Sequence, residues 1–281
     1  MIKFLLAMSL CCPLASSLSS SSSIGSSPSS SKPSSLLEQN LQSLYDADMA
    51  QDYNSMMKDE MSKIIPDLQQ LIQDTHLKPG KIVDVCCGTG DLLLWLSQQF
   101  KTTSSMMELD DPTSSSTTAT TTDAAAATAT TAYSFHGVDI SPHMLNVAKE
   151  KDVDNILLLE QGDMRDLSKL GIRDDSCSAV LCNFSLHHYS NCDQILTECV
   201  RVLKPITGIL YLSFYAYPTC FEQDVPSSLP TYYHKESTIE TVLISQLDME
   251  ILMKRANRED YPGIVNNEVF MLARKKARAL A

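Results

Sequence analysis

Between Lys81 and Tyr215 short apolar runs alternate with stretches of helical spacing, and this alternation constrains the fold more than any other feature of the chain. Strand patterns fall at Lys81 to Val85, Tyr133 to Ile140, Asn155 to Glu160, Ala179 to Phe184 and Ile209 to Tyr215. Helical patterns at Asp91 to Gln99, Pro142 to Lys151 and Cys192 to Leu203 separate them, with Ser141 as an N-cap and Pro205 as a stop. Repetition of this kind predicts a parallel sheet with crossover helices on both faces. Ahead of it, Leu36 to Asp74 reads as helical segments broken near Pro66. After it come a helix around Ser237 to Gln246 and two successive strands, near Glu250 to Lys254 and at Glu268 to Ala273. Two strands in a row predict an antiparallel hairpin edge. The expected fold is α/β and doubly wound, with a mostly parallel seven-stranded sheet ending in that C-terminal hairpin.

Two tracts interrupt the pattern. Residues 1–35 begin with Lys3 and an apolar run from Phe4 to Leu14, followed by small residues and a serine-rich stretch with little to bury. They read as a targeting leader and linker, for a plastid, the secretory pathway or a mitochondrion, with an untargeted tail as the alternative. The apolar run is too short for a transmembrane span. Residues 101–131 are rich in Thr, Ala and Ser and read as a disordered surface insertion, a lid being the alternative. The expected domain therefore runs from 36 to 275, with a tail at 276–281. The basic run Arg274-Lys275-Lys276-Ala277-Arg278 reads as a solvated end.

A formal charge of -12 over 281 residues, with no Lys/Arg stripe, argues against a protein that holds nucleic acid by neutralising phosphates. The nine cysteines include no C-x-x-C pair, so neither a metal site nor a disulfide framework is expected, and the thiols read as reduced and mostly buried. Nothing in the residues speaks to oligomeric state.

The chemistry gathers at the strand ends. Val83-Asp84-Val85-Cys86-Cys87-Gly88-Thr89-Gly90-Asp91 follows the first strand, where the chain must turn sharply and let the backbone approach a ligand. Asp139 ends the second strand in Gly137-Val138-Asp139-Ile140-Ser141, a place from which a carboxylate accepts hydrogen bonds from both ribose hydroxyls. Gln161-Gly162-Asp163-Met164 follows the third strand, where Asp163 and Met164 fit the edge and face of an adenine. These pieces, in this order, match an adenosine site at the carboxyl edge of a parallel sheet.

On these residues the chain resembles a class I S-adenosylmethionine-dependent methyltransferase of the small-molecule type, over roughly Leu36 to Lys275. Ala179-Val180-Leu181-Cys182-Asn183-Phe184-Ser185-Leu186-His187-His188 and Arg201-Val202-Leu203-Lys204-Pro205 extend the match. The resemblance implies S-adenosyl-L-methionine as cofactor, held by Asp84, Cys86, Cys87, Gly88, Thr89, Gly90, Asp139, Ile140, Asp163, Met164 and Asn183, and a small-molecule methyl acceptor. Cys86 stands where the family usually has glycine, Ser178 where it has an acidic residue, and Ile206-Thr207-Gly208 where it has Gly-Gly.

His187 and His188 stand where a base or an acceptor contact would lie, or are structural. Tyr45, Tyr53, Tyr215, Tyr217, Tyr232, Tyr233 and His234 stand in the regions that shape an acceptor pocket or merely close the domain. Asp84 to Leu92 is similar to the ubiquinone/menaquinone C-methyltransferases, which favours an aromatic or quinone-like acceptor. Two rival readings are an NAD-dependent oxidoreductase, although Gly88-Thr89-Gly90-Asp91-Leu92-Leu93 lacks the third small residue of that fingerprint, and a non-catalytic cofactor-binding or interaction module.

Overall fold

A computed structural model of the chain describes residues 36–74, 77–107, 133–216, 222–223, 231–261 and 264–277. The leader, the insertion from 108 onward, Tyr217 and residues 278–281 lie outside them. The elements are α1 (Leu36–Leu44), α2 (Ala47–Asp74), β1 (Lys81–Asp84), α3 (Asp91–Met107), β2 (Ser134–Asp139), α4 (Pro142–Lys151) and β3 (Leu157–Gln161), then β4 (Cys177–Asn183), α5 (Asp193–Val202) and β5 (Ile209–Ala216). There follow a short pair, β6 (Glu222–Gln223) and β7 (Thr231–Tyr232), then α6 (Glu236–Thr241), β8 (Met249–Tyr261) and β9 (Ile264–Lys275).

Seven strands form one sheet in the order β3-β2-β1-β4-β5-β9-β8. β1 to β5 are parallel to their neighbours, and β9 runs antiparallel to both β5 and β8. The side-chain period of two then divides the apolar residues between the faces. Val83, Val180, Cys182, Leu210, Leu212 and Met271 pack with Ile195, Leu196 and Cys199 of α5 on one side. Ile82, Ala179, Leu181, Ile209, Tyr211 and Phe270 pack with Ile64 and Leu68 of α2 and with Leu93 and Leu96 of α3 on the other. Both faces are covered, which is why these strands read as continuous apolar runs and do not alternate with polar residues. Of the six described cysteines, five are buried and Cys86 is half-buried.

Three expectations change. α2 passes through Pro66, whose ring is exposed and whose fixed φ suits a helix, while the stripe Met61, Ile64 and Leu68 stays buried. The break comes instead at Tyr45 and Asp46, where Asp46 Oδ1 caps α2 by accepting the Met49 N–H at 2.9 Å. α3 continues to Met107, so residues 101–107 of the expected insertion are helical, because Thr and Ser do not stop a helix already propagating from Leu92 to Phe100. Lys275 is not solvated. Its ammonium is buried at the C-terminus of α5, donating to Val200 O at 2.8 Å, Leu203 O at 2.7 Å and Asp175 Oδ1 at 2.6 Å, and so satisfies carbonyls that have no partner within the helix.

Ser141 caps α4 as expected, accepting the Met144 N–H at 3.3 Å. Gly90 allows α3 and α4 to approach each other: its φ is +78°, and an added Cβ would lie 3.0 Å from the Cβ of Ala148. Both the left-handed backbone and the close helix oppose a side chain here. Gly90→Ala is expected to lower the free energy of unfolding by about 2 kcal/mol, as read from the urea midpoint at unchanged slope.

Candidate functional site

Strand order reverses between β1 and β4, so the chain segments leaving β1, β2, β3 and β4 converge at the carboxyl edge of the sheet. The segment after β1 carries Gly88 at φ +53°, with Tyr53 of α2 lying 3.3 Å from where a Cβ would be. Its N–H donates to Asp139 Oδ2 at 2.8 Å, and the Ser141 N–H donates to Asp139 Oδ1 at 2.9 Å. Asp139 is buried at the tip of β2. Burial raises its pKa to about 6 despite the backbone donors, which act to lower it. Asp84 is raised further, to about 7, by burial and then by the neighbouring Asp139 charge, against one weak N–H bond from Cys86.

Around this pair lies an open cleft of about 550 Å³. Leu41, Tyr45 and Tyr53 close it from the N-terminal helices, and Met144 from α4. Val85, Cys86 and Gly88 line it after β1, Asp139 and Ile140 at β2, Gly162 and Met164 after β3, and Asn183, Phe184, His188 and Tyr189 after β4. A second hollow of about 390 Å³ shares Tyr53, Cys86, Asn183 and Phe184 and adds Asp84, Cys87, Thr89 and Asp91 beneath Met57, Met61 and Ile64. Asn183 faces both. Its Oδ1 accepts the Ser213 hydroxyl at 3.0 Å, whereas its buried Nδ2 has no hydrogen-bond partner, an arrangement that suits a ligand acceptor. Phe184, stacked on Tyr215 at 4.8 Å, holds φ at +44°, a strained backbone for a bulky residue at the cleft wall.

Of the residues singled out from sequence, Cys86, Gly88, Asp139, Ile140, Met164, Asn183 and His188 meet in the main cleft, and Asp84, Cys87 and Thr89 in the adjoining hollow. Gly90 and Asp163 line neither. Gly90 serves helix packing. The Asp163 carboxylate is taken by Arg165, with Nε at 3.0 and 2.9 Å and a further contact from Nη2, while its neighbours Gly162 and Met164 form the wall. The His187 ring lies tilted at 45° against His188, with centroids 4.0 Å apart, and has a buried Nδ1 without a partner. Burial keeps both imidazoles neutral, holding His188 at about 4 and His187 well below its ordinary value. Leu41, Met57, Met61, Met144, Phe184 and Tyr189 were not foreseen as cleft residues. Only the helical spacing of Tyr53, Met57, Ile64 and Leu68 signals that α2 lays an apolar stripe over the site.

A methyltransferase-domain family matches residues 113–212, which span β2 to β5. A demethylmenaquinone methyltransferase of Staphylococcus aureus is 27% identical over 170 residues, 59% of this chain and 54% of that protein, so the chain spans about half the length of this curated relative. In structure it is similar to an S-adenosylmethionine-dependent methyltransferase from Methanosarcina mazei (TM-score 0.53, 16% identity, 74% of this chain and 98% of the other). It is also similar to the magnesium protoporphyrin IX methyltransferase of Synechocystis with bound cofactor (TM-score 0.54, 15% identity, 87% and 100%). Residues 113–212 thus match a methyltransferase domain, and the chain shares the fold of these two solved methyltransferases. The family match begins inside the threonine- and alanine-rich tract, so the glycine segment at Asp84 to Gly90 stands outside it.

Because burial raises both carboxylates above the ordinary value of 3.8, the folded state holds protons that the unfolded state has released. Their contribution to stability is complete below pH 3.8 and is lost as pH rises through about 6 for Asp139 and about 7 for Asp84. Asp139→Asn removes one of these titrations. Urea unfolding between these limits is expected to fall less steeply with pH in the variant, and an unchanged slope would contradict a buried, protonating Asp139.

Proposed function

We propose that this chain transfers the methyl group of S-adenosylmethionine to a small aromatic or quinone-like acceptor. The observation that carries the reading is one cleft that joins a buried carboxylate at the β2 tip, clamped to the glycine segment, with the unpartnered amide nitrogen of Asn183. The acceptor class is supported by the curated relative named for demethylmenaquinone and by the aromatic walls of the cleft.

When bound, the cofactor supplies a methyl group on a positively charged sulfur, so the protein's part is to orient the reactants and exclude water. Asp139, each of whose oxygens has one lone pair left after its backbone bond, accepts the ribose hydroxyls. Ile140 and Met164 flank the purine. Asp84 and Thr89 in the adjoining hollow face the amino-acid portion, where a carboxylate favours an ammonium group. Asn183 Nδ2 donates near the methyl-bearing end. Tyr53, Phe184 and Tyr189 close the cleft with rings, which raises the effective strength of each polar contact inside it. No helix among the described residues is long and apolar enough to cross a membrane. A targeting role for residues 1–35 belongs to the same proposal.

Calorimetry of the chain with S-adenosylmethionine and with NAD tests the reading, and no heat with the former, or preference for the latter, would overturn it. Asp139→Ala should weaken nucleoside binding by about 2 kcal/mol or more, the cost of losing charge-assisted hydrogen bonds. Both carboxylates must be ionised to serve the cation and the hydroxyls. Affinity should therefore rise with pH through about 6 and about 7 and level off above.

A further inference from the structure

Tyr45 occupies the gap between α1 and α2, and contacts from three directions fix it. Its carbonyl accepts the Ser141 hydroxyl at 2.6 Å, its ring meets Tyr53 and His188 edge to face at 6.5 and 5.6 Å, and its hydroxyl lies 2.8 Å from His188 Nε2. Tyr45 and His188 both line the cleft, alongside Asn183 and Phe184. The His188 backbone is in turn anchored, its N–H donating to Ser185 O at 3.2 Å.

A phenol is the better donor of the pair and a neutral imidazole nitrogen the better acceptor, so the Tyr45 proton points at Nε2. Burial holds the phenol well above its ordinary value and the imidazole at about 4. A phenolate facing an imidazolium is thus disfavoured, and the bond is one between neutral groups. With its only proton engaged, the phenol oxygen has lone pairs left for the cleft.

We propose that Tyr45 is a specificity-determining residue: its hydroxyl oxygen, with the proton committed to His188, accepts a hydrogen bond from an O–H or N–H of the methyl acceptor. The inference rests on the methyl-transfer reading above and adds to it the polarity of the acceptor. Tyr45 and His188 orient the acceptor and do not take its proton. A flat ligand bearing a hydroxyl is favoured over the same ligand with that hydroxyl capped.

The test uses 2-naphthol and 2-methoxynaphthalene, which share a ring system and differ in the donor. Each is titrated by equilibrium dialysis against the full chain, with saturating S-adenosylhomocysteine and again without it. The native protein should bind 2-naphthol about three- to tenfold more tightly. Tyr45→Phe should bring the two within about twofold, with its near-ultraviolet circular dichroism retained. His188→Leu, which releases the Tyr45 proton to compete for the same lone-pair direction, should also reduce the ratio. Equal binding of the two probes by the native protein, binding of neither, or a ratio that survives Tyr45→Phe overturns the proposal. Failure of S-adenosylhomocysteine to bind, with the naphthol preference intact, counts against the cofactor reading and leaves the polarity assignment standing.

Discussion

A buried carboxylate held by backbone N–H groups organises this molecule. Asp139 joins the glycine segment after β1, through Gly88, to the start of α4, through Ser141, and by doing so fixes the distance between the first two strand ends. The arrangement places a group that prefers water in a site that has little. The donors offset only part of that cost, and the carboxyl remains hard to ionise. Such a group is stable where it is because the surrounding backbone cannot relax away from it. Gly88 is confined under Tyr53, and Ser141 is held by Met144 N and Tyr45 O. The same rigidity makes its remaining lone pairs useful to a ligand, since they are aimed before anything binds.

The N-terminal helices complete the site from outside the sheet. α2 lays Tyr53, Met57 and Met61 across the loops, and the gap before it delivers Tyr45 to the turn after β4. Ser141 links the two halves, because one hydroxyl both caps α4 and donates to the carbonyl of Tyr45. A side chain chosen by local helix chemistry therefore also sets the position of a residue almost a hundred positions earlier in the chain.

The sheet was legible because its strands announce themselves by unbroken apolar runs between polar turns, and Asp84, Asp139 and Asn183 were legible because each ends such a run. Ser141 was legible from its place before Pro142. Other features depended on partners that no local pattern marks. Lys275 looked like part of a solvated basic end, and only the Val200 and Leu203 carbonyls at the end of α5 explain its burial. Asp163 follows the third strand as expected, and its pairing with Arg165, two residues on, is marked by no local pattern. Pro66 looked like a break, yet a single lost N–H bond does not outweigh a helix whose apolar stripe is buried along its length. Phe184 and Tyr189 carry no local mark at all. Their role in the wall follows from the turn geometry after β4.

The threonine- and alanine-rich tract is attached between Met107, at the end of α3, and Tyr133, just before β2. The parallel register aligns Ser134 with Lys81, and the Ser134 N–H donates to Gly80 O at 3.1 Å, so the chain re-enters the sheet at the amino ends of its strands. The cleft opens at their carboxyl ends. Length added here is grafted at the root of the sheet, on the side facing away from the site. A fluorescent protein or an affinity module joined to the chain at Met107 or Tyr133 would therefore be tethered at the pole opposite the cleft.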